Sequence, residues 1–145
     1  MESKLKILVA DDEPEVLEIT ARRLREEGYD VIVAADGVEA WDRIQSDSPD
    51  IIILDVNMPR KDGFAVLRDL REHPLKGKWQ PVIFVSARNE LKDVREGMGL
   101  HADSYLTKPC SMADILKAVR LVAALIPMRI KEGNEGEKHE SGHHS

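Results

Sequence analysis

The sequence predicts an α/β domain, a mostly parallel sheet with helices on both faces. Three observations carry this. Short apolar runs alternate with longer amphipathic segments in strict β-then-α order, five of each. Two runs, "IIIL" (51–54) and "PVIFVSA" (81–87), are apolar without interruption, as strands covered by helices on each side must be. With 145 residues, 42% of them hydrophobic and 33% charged, the chain fits one globular domain. A chain of that length buries about two thirds of the surface its unfolded form exposes.

"KILVA" (6–10) is the first predicted strand. Pro14 suits the first turn of the helix after it, and an Asp just ahead can cap the free N–H groups. That helix runs to Glu27, with Val16, Leu17, Ala21 and Leu24 on one face, and Gly28 supplies the stop. "VIVAA" (31–35) is the second strand, followed by a helix marked by Val38, Trp41 and Ile44. After the third strand (51–54) and its Pro- and Gly-marked loop, Phe64, Leu67 and Leu70 define a helix ending near Glu72. A polar connector (73–80) leads to the fourth strand, and Leu91, Val94 and Met98 mark a fourth helix. "SYLT" (104–107) is a short fifth strand. Ser111 caps a final helix carrying Met112, Ile115, Leu116, Val119, Ala123 and Ile126. The domain is expected to span 1–127, and the polar stretch 128–145 reads as a disordered tail.

No apolar run approaches the length needed to cross a bilayer, and the N-terminus lacks the apolar core of a signal peptide. The single cysteine, Cys110, excludes an internal disulfide and fits a reducing compartment, so a cytoplasmic location is expected. A net charge of −6 argues against direct nucleic-acid binding. Neither a membrane nor a nucleic acid is an expected partner.

A parallel sheet brings the ends of all its strands to one edge, and ligands bind at that edge where the strand order reverses. Asp11, Asp12 and Glu13 follow the first strand, Asp55 ends the third, Ser86 the fourth, and Lys108 follows the fifth. Neighbouring carboxylates do not all stay ionised without a counter-charge. An all-oxygen ligand set favours Mg²⁺, or Mn²⁺ or Ca²⁺, over zinc. A carboxylate nucleophile beside a cation, an ammonium and a hydroxyl describes a phosphoryl-transfer site, with Asp55 as the acceptor.

The pieces "ILVADDEP", "IIILDVNMPRKDG", "VIFVSA" and "ADSYLTKP" resemble the response-regulator receiver domain of two-component signalling, over residues 4 to about 126. The resemblance implies a doubly wound five-stranded sheet of order 2-1-3-4-5. It implies that Asp55 is the phosphoacceptor, and that Asp11 and Asp12 hold Mg²⁺ together with Asp55 and the carbonyl of Asn57. Lys108 is implied to contact the phosphoryl oxygens, Ser86 and Tyr105 to act as switch residues, and the Lys108–Pro109 peptide to be cis. Asn57 and Arg88 match positions that tune dephosphorylation.

The implied partners are a sensor histidine kinase or phosphotransfer protein and a downstream protein target. An output domain is absent from this sequence, so the chain acts by protein contact or belongs to a longer regulator. A homodimer through helix 4, strand 5 and helix 5 is a further expectation. The chain departs from the family in Ser86, where Thr is commoner, in Cys110, where Phe is common, and in its connector, where Trp79 has no assigned role. Two other classes compete. A small-molecule phosphatase needs a second acid where Asn57 stands and a cap for which 145 residues leave little room. A docking-only adaptor does not need the complete acceptor set.

Overall fold

The computed structural model describes residues 4–74, 78–87 and 102–126. The described elements run β1 (Lys6–Ala10), α1 (Pro14–Glu26), β2 (Asp30–Ala34), α2 (Gly37–Asp47), β3 (Ile51–Asp55), α3 (Gly63–Glu72), β4 (Val82–Ser86) and β5 (Ser104–Thr107). A helix over 112–126 follows. The fourth predicted helix, Arg88 and the expected tail lie outside the described residues.

The strands form one parallel sheet in the order β2-β1-β3-β4-β5. Every residue of β3 and β4 is buried, which accounts for their unbroken apolar character. The pleat sends alternate residues to opposite faces. Leu8, Ile52, Leu54, Val82 and Phe84 meet α2 and α3 through Ala40, Ile44, Val66, Leu67 and Leu70. Ile7, Ile51, Ile53, Ile83 and Val85 face the other way, onto Leu24 of α1 and onto Ile115, Leu116, Val119 and Val122. At about 25 cal/mol per Å² of apolar surface, such side chains contribute roughly 1.5–3 kcal/mol each. Trp79 and Cys110 pack against this second layer, so the connector's Trp has a place in the core.

Three local expectations are corrected. The second strand lies one residue earlier than predicted, over Asp30–Ala34, because it pairs in register with Lys6–Ala10. No Asp caps α1: Glu13 is its N-cap and makes no side-chain cap bond, while the Asp11 carboxylate accepts the Glu13 N–H at 2.9 Å. Val16, predicted on the buried face, is 38% exposed, whereas Thr20 is buried. Val16 and Ile19 border an apolar cavity of about 480 Å³ between α1 and the 112–126 helix, while Leu17, Thr20, Ala21 and Leu24 turn toward the core.

The remaining helix ends follow their sequence signals. Asp36 and Asp62 cap α2 and α3, accepting N–H bonds from Glu39 at 2.8 Å and Ala65 at 2.9 Å. Gly28, at φ +97°, closes α1 in a left-handed conformation. Ser111 and Asp114 form a reciprocal capping box: the Ser111 hydroxyl accepts the Asp114 N–H, and the Asp114 carboxylate accepts the Ser111 N–H.

Candidate functional site

The strand order reverses around β1, which lies between β2 and β3. The crevice at its carboxyl end is therefore flanked by Asp11 and Asp12 on one side and Asp55 on the other. The sheet sets these residues by ending its ladders beside them. The Asp11 N–H still donates to Ala34 at 3.1 Å, and the Lys108 N–H donates to the Ser86 carbonyl at 2.8 Å. Asp55 is the last residue of β3, in register with Val85. Each charged side chain thus leaves the backbone where regular pairing stops, held by a strand buried behind it.

Carboxylate oxygens of Asp11, Asp12 and Asp55 lie within 4.8 Å of one another. The Lys108 ammonium donates to Asp55 Oδ2 at 2.9 Å and to Asp11 Oδ2 at 3.4 Å, with Glu13 Oε1 at 3.8 Å. The Lys108–Pro109 peptide is cis. Asn57 donates its backbone N–H to Asp55 Oδ1 at 3.2 Å. Asp11 and Asp55 are buried, and Asp12 faces solvent.

Burial pushes the Asp55 carboxyl above its ordinary pKa, and the Asp11 charge adds to that. The Lys108 ammonium and the Asn57 N–H pull it back only in part. For Lys108 burial acts downward, but the hydrogen bond and charge of Asp55, helped by Asp11, outweigh it and hold the ammonium above its usual value. The two shifts are compatible because one ammonium stabilised by two aspartates still leaves those aspartates under-compensated. Among the described residues this cluster carries surplus negative charge in a partly dehydrated cleft. All its donors are oxygen, in a set that fits a hard divalent cation.

Ser86 is fully buried at the end of β4. Tyr105 is half-buried on β5, its hydroxyl accepting the Ala102 N–H at 3.3 Å, its ring 6.3 Å from that of Phe84. Both therefore lie on the strands next to the cluster, Tyr105 away from it on the α2–α3 side of the sheet. Burial pushes the Cys110 thiol up, with the Asp114 charge adding to it, and its side chain packs against the second core layer. Sequence reasoning missed Gly63, whose signal was its place at the first turn of α3 behind "DVNMPRKD".

The chain matches the model of the response regulator receiver domain over residues 7–120, and it belongs to that family. It is 38% identical over 117 residues to the alkaline phosphatase synthesis transcriptional regulatory protein PhoP of Bacillus subtilis, covering 81% of this chain and 48% of that protein. The chain spans about half the length of the curated relatives it matches. The chemotaxis response regulator CheY4 of Vibrio cholerae superposes with a TM-score of 0.75 at 31% identity, over 83% of this chain and 99% of that one. The response regulator TrrA of Thermotoga maritima, solved in complex with Mg²⁺-BeF, gives 0.66 at 31% identity, over 80% and 96%.

Proposed function

We propose that this receiver domain is a phosphorylation-controlled switch whose acceptor is Asp55. The observation that carries the reading is one cluster: a buried Asp55 within 4.8 Å of the Asp11 and Asp12 carboxylates and 2.9 Å from the Lys108 ammonium. An Asp55 oxygen attacks the phosphorus of a phosphohistidine or acyl phosphate. The bond from phosphorus to the donor's nitrogen or oxygen breaks, its electron pair leaves with the donor, and Asp55 becomes an acyl phosphate. Asp11, Asp12 and Asp55, with the Asn57 carbonyl, would hold Mg²⁺, which supplies positive charge against the phosphoryl oxygens. Lys108 is already held at Asp55 and exchanges a carboxylate oxygen for a phosphoryl oxygen without travelling far. The complex named for the Thermotoga relative supports Mg²⁺ here.

The domain acts only on its own carboxylate, not on an external substrate. A sensor histidine kinase or a phosphotransfer protein is the donor, in a cytoplasmic setting. Once Asp55 carries the group, the Ser86 hydroxyl donates to a phosphoryl oxygen and Tyr105 rotates inward. The helix 4–strand 5–helix 5 surface then shifts in affinity for a target protein, a joined output domain or a second copy. Intact-protein mass after incubation with acetyl phosphate and Mg²⁺ tests the chemistry. One added phosphoryl group is expected, lost in Asp55→Asn and with a chelator. No adduct, even at short times in the cold, sinks the proposal and favours a docking-only adaptor.

A further inference from the structure

Gly63, the first residue of α3, sits closer to the acceptor strand than a side chain permits. A Cβ placed on it would lie 2.5 Å from the Asp55 carbonyl oxygen, 2.9 Å from Val56 Cα and 3.1 Å from the Asp55 carbonyl carbon. All three are backbone atoms of the acceptor residue and its successor, so they cannot swing aside as the tip of a flexible side chain does. The Gly63 N–H also donates to the Val56 carbonyl at 2.9 Å, and Asp62 caps the same turn through Ala65. The far limb of the loop is held as tightly. The Gly37 N–H of α2 donates to the Pro59 carbonyl at 3.4 Å, and a Cβ on Gly37 would overlap the Lys61 carbonyl. Gly28 is the contrast: it needs its positive φ, yet nothing lies within 4 Å of its missing Cβ.

We propose that Gly63 is a positioning residue for phosphoryl transfer. By lacking a side chain it lets α3 abut the Asp55–Val56 backbone, and so sets the reach of the Asp55 carboxylate toward Lys108 and the Asp11–Asp12 pair. The role rests on the reading of Asp55 as acceptor. A methyl group at 63 moves either α3 or the Asp55 peptide by roughly 1 Å before ordinary contact returns, and misplacement on that scale costs on the order of 10²-fold in rate.

The test compares the full chain with Gly63→Ala and Gly28→Ala, measuring three quantities at a temperature where all are folded. These are the phosphorylation rate at saturating acetyl phosphate, the Mg²⁺ dissociation constant by calorimetry, and Tm. Gly28→Ala strains a left-handed position and loses stability without touching the acceptor strand. The expected result is a rate loss of about 10- to 100-fold and weaker Mg²⁺ binding in Gly63→Ala alone. Equal rates and equal Mg²⁺ affinities in the two variants overturn the role, whatever their Tm values. If Gly63→Ala does not fold, Asp62→Ala decides, since it loosens the same turn. Weaker Mg²⁺ binding than in Gly28→Ala supports the proposal, and unchanged binding overturns it. A wild-type chain that binds Mg²⁺ without accepting phosphoryl removes the acceptor reading, while the Mg²⁺ comparison still decides the positioning of Asp55. A wild type that does neither overturns both.

Discussion

At the amino end of the sheet, Asp50 accepts the Lys6 backbone N–H at 2.8 Å and faces the Lys78 ammonium at 3.1 Å, while the Lys6 ammonium donates to the Asp47 carbonyl at 3.1 Å. At the carboxyl end, the Lys108 ammonium is the one cation among the described residues that sits among Asp11, Asp55 and, farther off, Glu13, with Asp12 beside them. Both ends use aspartate and lysine, but the first is a balanced clasp and the second, among the described residues, is short of positive charge. A satisfied aspartate holds strands together. An under-compensated one keeps its appetite for a cation or a phosphoryl group. The difference follows from geometry. Asp50 precedes β3 and reaches an unpaired backbone donor, whereas Asp55 ends β3 where two further carboxylates converge.

Exchanging aspartate for asparagine at each end breaks the comparison most sharply. Asp55→Asn is expected to reduce phosphoryl incorporation to background, and Asp50→Asn to leave it within about twofold of wild type, since no hydrogen bond or ion pair described for Asp50 reaches the cluster. Mass spectrometry after acetyl phosphate treatment checks both. The lysines should separate in the same way. Lys108→Met is expected to slow transfer on the order of 10²- to 10³-fold, as removal of a preorganised charge stabiliser does. Lys78→Met is expected to leave the rate unchanged in the same assay.

Stability should move in opposite directions at the two ends. Asp50→Ala strands the Lys6 N–H and is expected to cost about 1–3 kcal/mol in urea unfolding. Asp55→Asn is expected to raise Tm in metal-free buffer, on the order of a few degrees. The Asp55 carboxyl ionises above its ordinary 3.8 because of burial, so its charge weakens the fold increasingly as pH rises from 3.8 through the folded value. The gain in Asp55→Asn is therefore greatest above the folded value and fades on acidification. Saturating Mg²⁺ should reverse the order, stabilising the wild type alone. Lys108 works the other way: its ammonium stabilises the fold below its unfolded pKa and stops doing so as pH rises through the higher folded value. The smallest effect belongs to neither end. Glu27→Ala removes an exposed pair with Arg23 at 2.9 Å and is expected to change stability by under about 0.5 kcal/mol.

The sequence by itself determined the five-strand alternation and which strands lie at the centre, because continuous apolar runs report burial on both faces without reference to anything distant. It also named Asp11, Asp12, Asp55 and Lys108, because a parallel sheet delivers every strand end to one edge whatever the helices do. Tertiary structure decided the rest. Val16 has the right period for the core, yet borders a cavity and stays 38% exposed, while its neighbour Leu17 packs on the core. The sequence brought Asp11 and Lys108 to one edge, but their hydrogen bond at 3.4 Å, a contact across 97 residues, is something no local pattern encodes. Gly63 is one more loop-edge glycine in the sequence, and only the approach of α3 to the Asp55 backbone makes the missing side chain matter. Local periodicity records what each segment buries. The distances between segments, on which charge balance and close packing depend, exist only once the sheet has brought them together.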